Sequence, residues 1–233
     1  MKHQREIITS VSNSKIKNYR KLLQKKYRQQ SDFFIVEGFH LVQEAQKANL
    51  IHEIITTDLN ERGTLVSDNV LKSLTSTQTP QQIIAICRKP TIKPLGQKVL
   101  VLSDVQDPGN VGTLIRSSAC FNYDGVLISG VDVFNPKVIR ASQGTIFHIN
   151  IIQTDDVSKY FKDYQTIGAV LNPLARHYQK VNVKPPFMLV LGNEGQGLSK
   201  QIIKQLDASV YIPIHFESLN VASAGAILLN EYQ

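Results

Sequence analysis

Along the chain, short apolar runs alternate with stretches whose apolar residues recur every three to four positions, the pattern of strands interleaved with amphipathic helices. From 14 to about 28, Ile16, Tyr19, Leu22, Leu23 and Tyr27 fall at helical spacing with basic residues on the opposite face, which predicts one amphipathic basic helix. A strand over 33–36 leads through Glu37-Gly38 into a helix ending near Asn49. A strand at 51–56, a short helix at 68–74 and a strand at 83–87 follow. The stretch 88–97 holds Pro90, Pro94 and Gly96 with few large apolar groups, which is linker composition. The expected division is therefore a first domain over 1–95 and a second over 96–233.

Beyond that linker, strands at 99–102, 125–129, 148–152, 166–170, 187–191 and 209–212 alternate with helical stretches near 111–121, 156–161, 199–206 and 219–231. Such alternation predicts an α/β domain with a largely parallel sheet covered by helices. Chemistry in these sheets is sought in the loops beyond the carboxyl ends of the strands.

Composition narrows the class. With 42% hydrophobic and 19% charged residues the chain is a folded globular protein rather than a disordered one. The longest apolar runs, such as 187–191, fall far short of the roughly 20 residues a membrane span needs, so no membrane partner is expected. The opening residues lack the apolar run of a secretory leader, which points to a cytoplasmic location. Cys87 and Cys120 lie far apart and outside any CxxC arrangement, so two buried thiols are expected rather than a disulfide or a metal site.

Charge is unevenly placed. Residues 1–30 carry nine basic groups against Glu6 alone, a net +8, whereas the other 203 residues sum to −1. A cationic face made of Lys15, Lys17, Arg20, Lys21, Lys25, Lys26 and Arg28 is the footprint of a polyanion-binding surface; a solvated basic helix is the plainer alternative.

Three loops stand out. In the first, Asp104-Val105-Gln106-Asp107-Pro108-Gly109-Asn110 precedes a helix carrying Arg116. By itself it fits an ordinary strand-to-helix turn best; the alternative is a helix N-terminus offering free amides to an anion, with an interior Arg116 in want of a partner. The second, Gly192-Asn193-Glu194-Gly195-Gln196-Gly197, is glycine-rich but has neither the dinucleotide fingerprint nor the phosphate-loop spacing. The third runs from Ile212 to Ser223, where Ser218 or Asn220 suits a helix N-cap. His215 by itself suits a structural role best.

Taken together and in this order, 104–121 (DVQDPGNVGTLIRSSACF), 189–199 (LVLGNEGQGLS) and 212–229 (IPIHFESLNVASAGAILL) resemble the three motifs of the SpoU (TrmH-like) RNA ribose 2′-O-methyltransferases of the SPOUT superfamily. The segment 131–149 resembles the family's intermotif region, and the N-terminal part resembles the small ribosomal-protein-like substrate-binding domain many members carry. Between Ile212-Pro213 and Ser218-Leu219-Asn220 this chain is two residues shorter than the usual family form and holds His215 and Phe216.

The resemblance implies a C-terminal domain whose parallel sheet is tied in a trefoil knot, a small N-terminal α/β domain, a homodimer with its active site completed across the interface, and S-adenosylmethionine as cofactor. It implies cofactor contacts at Leu191, Gly192, Ile212 and Leu219. Asn110, Arg116, Glu194, Ser218 and Asn220 match its catalytic positions. Arg116 would position and stabilise the ribose oxygen, Glu194 would orient Arg116 or the second loop, Asn110 and Asn220 would shape the pocket, and Ser218 would hold the third loop or touch substrate. The expected activity is methylation of a ribose 2′-hydroxyl, ribosomal RNA being the favoured substrate. A catalytically silent RNA-binding module, a SPOUT enzyme acting on transfer RNA, and one that methylates a base nitrogen are the alternatives.

Overall fold

The computed structural model describes residues 5–172 and 174–233; Lys2 of the basic segment lies outside them. The chain divides into two compact units, Met1–Thr91 with Phe134–Phe147, and Ile92–Val133 with His148–Gln233.

The first unit runs β1 (Ile7–Ile8), α1 (Ser14–Lys21), α2 (Lys25–Gln29), β2 (Phe33–Glu37), α3 (Phe39–Lys47), β3 (Ile51–Thr56), β4 (Thr64–Val66), α4 (Asp68–Lys72) and β5 (Ile83–Arg88). Its sheet has the order β1-β4-β3-β5-β2, parallel from β1 to β3 and antiparallel across β5. Ile16, Leu22, Ile35, Ile55, Leu74, Ile84 and Ile86 form the core on one side.

The single basic helix expected over 14–28 is two helices. Asn13 caps α1 by accepting from the amides of Lys15 and Ile16. After Lys21 the backbone tightens into three-residue turns, with Leu22 and Leu23 amides donating to Tyr19 and Arg20 carbonyls at 2.9 and 3.1 Å. The Arg28 guanidinium closes the break by donating to the Leu22 carbonyl at 2.8 Å.

The second unit begins with β6 (Lys98–Leu102), α5 (Pro108–Cys120) and β7 (Gly125–Ile128), after which α6 (Pro136–Ser142) belongs to the first unit. There Phe134 and Phe147 lie 4.7 and 6.0 Å from Phe34, ring centre to ring centre, and bury it completely. Periodicity over 131–149 gives no hint of this assignment, because a seven-residue helix flanked by two phenylalanines buries equally well on any apolar face.

The second unit resumes with β8 (Asn150–Gln153), β9 (Gln165–Ala169), β10 (Arg176–His177), β11 (Phe187–Leu191), α7 (Lys200–Ile203), β12 (Ala208–Tyr211) and α8 (Val221–Glu231). The helix expected near 156–161 is a 3₁₀ turn over Val157–Asp163. All seven strands are parallel in the order β10-β12-β9-β11-β6-β7-β8. Central β11 is buried along its whole length, as expected where helices cover both faces. The chain moves outward from β6 through β7 to β8 and then crosses to β9. The reversal falls between β6 and β11.

Gly225 lets α8 close on α5, since a Cβ there would stand 2.3 Å from Leu114 Cδ2 and 2.9 Å from Leu191 Cδ1. Cys87 is buried, and burial raises its thiol pKa to about 12. Cys120 is exposed, contrary to expectation, because the last turn of α5 presents it to solvent.

Candidate active site

The three loops singled out from the sequence follow β6, β11 and β12, three strands whose carboxyl ends share one edge of the parallel sheet. In the first loop, the Asp107 carboxylate accepts from the amides of Gly109 at 2.8 Å and Asn110 at 3.0 Å, and Pro108 fills the first helical position. This overturns the expectation that α5 offers free amides to an anion: its own N-cap occupies them. The amides just upstream, of Gln106 and Asp107, each donate to the Glu194 carboxylate at 3.1 Å.

Glu194 is the hub. Beyond those two amides it accepts from Asn110 Nδ2 at 3.1 Å, and Asn110 Oδ1 in turn accepts from Asn220 Nδ2 at 3.0 Å. Partial burial raises the Glu194 pKa, but the hydrogen bonds from Asn110 and from backbone amides outweigh it and leave the carboxyl below its ordinary value. Asn220 Oδ1 caps α8 through the amides of Ala222 and Ser223. The second and third loops are thus each tied to the first by a side chain. Ser218 is not the cap, since α8 starts three residues after it; it is exposed and lines the cleft described below.

Arg116 departs from expectation. It is exposed on α5, not interior, and makes no hydrogen bond or ion pair with any described residue; Glu194 orients the first loop instead. A position six residues past Asn110 lies on the side of the helix away from the Glu194 link, which accounts for the separation.

Between the second and third loops lies a cleft of about 380 Å³, within the range of small-molecule sites. Leu191, Gly192, Ile212 and Leu219, the four expected cofactor contacts, all line it, with Val170, Leu171 and Asn172 after β9 on another side. The cleft suits a nucleoside-bearing sulfonium. Its walls are mainly apolar, and the second loop folds tightly on itself beside it, since a Cβ on Gly192 would stand 2.3 Å from Gly197 C and 2.4 Å from Leu198 N. Gly197 adopts φ +67°, which glycine takes without strain.

Sequence reasoning missed Asn193. Its Oδ1 accepts from the amides of Gly195 and Gln196, closing the turn, and its Nδ2 donates to the Asp104 carbonyl at 3.0 Å. Asn before Glu-Gly is an Asx-turn signal that could have found it. Asp107 was likewise legible as an N-cap ahead of proline.

The expected RNA-contact residues lie in the first unit. Lys17, Arg20, Lys21, Lys25 and Lys26 are exposed; Lys15, exposed as well, is paired with Glu53. Arg28 is a correction: at 3% exposure, bonded to the Leu22 carbonyl, it serves the fold and not a surface.

A parallel-sheet unit whose tied loops flank a cofactor-sized cleft defines a ligand-binding enzyme class. The chain belongs to the SpoU rRNA Methylase family, whose model matches residues 97–230. An MRM3-like substrate binding domain matches residues 13–85. The chain is 36% identical to the 23S rRNA (guanosine(2553)-2′-O)-methyltransferase RlmP of Bacillus subtilis strain 168, over 95% of this chain and 97% of that one. Among solved structures it is similar to an AdoMet-bound rRNA methyltransferase from Sinorhizobium meliloti, with 28% identity, TM-score 0.85 and 97% of each chain covered. It is also similar to an RNA 2′-O ribose methyltransferase, with 28% identity and TM-score 0.81 over 97% of this chain and 98% of that one. No helix of the described residues is long and apolar enough to cross a membrane.

Proposed function

We propose that this protein methylates a ribose 2′-hydroxyl of RNA, ribosomal RNA in particular, with S-adenosylmethionine as donor. The observation that carries the reading is the hydrogen-bonded link Glu194–Asn110–Asn220, which ties the three motif loops beside a cleft lined by Leu191, Gly192, Ile212 and Leu219. Once bound, the donor supplies a methyl group on a positively charged sulfur. The chain's part is to hold that methyl in line with the incoming oxygen and to keep water away, which favours the cancelling of opposite charges.

Arg116 takes the role of positioning and stabilising the developing oxyanion. A guanidinium is protonated throughout the physiological range and cannot serve as the base, so the hydroxyl proton passes to a phosphate oxygen of the RNA as the methyl leaves the sulfur. Its exposure, with no partner among the described residues, suits a group that waits for RNA. Asn110, Glu194 and Asn220 hold the loops, and Ser218, which lines the cleft, would touch the bound donor or substrate from the third loop.

The first unit is assigned to RNA through Lys17, Arg20, Lys21, Lys25 and Lys26. A homodimer with its active site completed across the interface is part of the same reading. The outward-facing Arg116 on α5 and Ile227 on α8 support it. A trefoil knot in the second unit and a cytoplasmic location accompany it.

The test is methylation of 23S rRNA transcript with labelled donor, followed by alkaline hydrolysis. Ribose methylation leaves the label in a hydrolysis-resistant dinucleotide. Label in mononucleotides would mark a base methylase instead, and failure to bind S-adenosylhomocysteine by calorimetry would mark a silent binding module.

A further inference from the structure

We propose that Phe216 is the stacking platform for an unpaired base of the RNA substrate, an assignment that rests on the methyltransferase reading above. Phe216 is 83% exposed, well beyond any other phenylalanine among the described residues; the next, Phe39, is at 42%. Burying a phenyl ring is among the larger gains open to a side chain, so a ring left in water beside a reactive cleft is in want of a partner.

Position narrows the partner. Ile214 and Ser218, two residues to either side, both line the cleft, whereas Phe216 does not. The ring therefore stands on the rim, outside the space the donor takes. His215 and Glu217 flank it and are also exposed, so one flat apolar face is set between polar groups. That is the chemistry of a nucleobase, with its π-face and polar edges, rather than of an extended apolar protein patch.

The loop that carries the ring is anchored. Four residues on, Asn220 caps α8 and bonds Asn110 at 3.0 Å. Asn110 lies on α5, so the loop is held to a helix of the sheet unit. An exposed aromatic ring on an anchored rim is the means by which proteins hold an unpaired base of single-stranded RNA. A ribose presented to the cleft belongs to a nucleotide drawn out of its helical stack, and the phenyl face replaces a lost stacking neighbour.

The chain contains no tryptophan, so F216W places a lone indole at the rim. A 23S rRNA transcript is expected to quench its emission, while S-adenosylhomocysteine alone leaves it unchanged. F216A is expected to raise KM for the transcript about tenfold, with kcat and S-adenosylhomocysteine affinity within about twofold of wild type, and F216W to recover most of the loss. Three results would overturn the assignment. One is an emission change that follows protein dilution without RNA, which means a second copy covers the ring. Another is a change on adding S-adenosylhomocysteine alone, which means the loop closes on the donor. The third is an F216A enzyme with wild-type KM on a transcript that the wild type methylates. A wild-type protein that transfers no methyl group to the transcript would instead overturn the functional reading, and this assignment with it.

Discussion

Asn220 donates from Nδ2 to Oδ1 of Asn110 across 3.0 Å, although 110 positions separate them in sequence. Asn110 passes the connection on to Glu194, 84 residues further along from it, at 3.1 Å. Two asparagines and a glutamate thereby act as one clamp on three loops. Asn110→Ala and Asn220→Ala should each weaken S-adenosylhomocysteine binding by about tenfold, the scale of one net hydrogen bond lost. The double variant should lose less than the sum of the two, because both remove the same contact. Calorimetry on the four proteins checks it, and strictly additive losses would show that the asparagines act separately.

Glu194 gives the clamp a pH dependence whose sign can be worked out. Its folded pKa lies below the ordinary carboxylate value, so the unfolded chain binds more protons in the interval between the two. The stabilisation is complete above the ordinary Glu range of about 4.3 and is lost as pH falls through the depressed folded value. Melting temperature measured against pH should show wild type and Glu194→Gln falling in parallel down to that range and converging below it. A gap that stays constant through the acid range would remove the carboxylate from the clamp.

Gly192 faces a backbone constraint, not a torsional one. A Cβ at this position would meet Gly197 C at 2.3 Å and Leu198 N at 2.4 Å, and main chain cannot step aside as a side-chain terminus can. Gly192→Ala should push the second loop outward and lower S-adenosylhomocysteine affinity by about a hundredfold, roughly 2.7 kcal/mol. Circular dichroism should report an unchanged fold. Near-native affinity would mean that the loop has more room than its present packing allows.

Arg28 and its neighbours on the basic helices should separate cleanly. Arg28→Ala removes the donor to the Leu22 carbonyl and is expected to cost about 1–3 kcal/mol of stability in a denaturant titration. Lys21→Ala should leave stability within about 0.5 kcal/mol. It should instead lower the slope of log affinity for RNA against log salt by about one. The reverse pattern would move the RNA surface elsewhere.

Phe34 tests the inserted segment. With Phe134 and Phe147 packed on its ring, Phe34→Ala opens a cavity in the first unit and should cost about 3–5 kcal/mol. A fragment ending at Thr91 also lacks both covering rings and should unfold less cooperatively than the full chain. A fragment as stable as the first unit in the intact protein would show that 134–147 contributes little to it.

Local patterning sufficed for most of what is regular here. Runs such as 187–191 and 99–102 are apolar throughout because both faces of their strands are covered, and that signal survives without any knowledge of neighbours. Strands of two or three residues, β1, β4 and β10, left no period to detect, and they exist because an adjacent strand offers them partners. The break between α1 and α2 was equally invisible, since it depends on a guanidinium reaching back six residues to one carbonyl.

The motif loops could be picked out by their residue types, and Leu191, Gly192, Ile212 and Leu219 do meet at one cleft. By itself the sequence determined that this is an α/β chain with a cationic N-terminal segment and three chemically loaded turns, because propensity, hydrophobic period and charge are properties of neighbouring residues. Only the tertiary structure decided which groups those turns keep for themselves. It gave the Gly109 and Asn110 amides to Asp107, the Glu194 carboxylate to the first loop, the Phe134–Phe147 segment to the first unit, and left Arg116 to solvent. Hydrogen bonds and ring contacts between residues tens of positions apart have no period along the chain, and it is their geometry that assigns each partner.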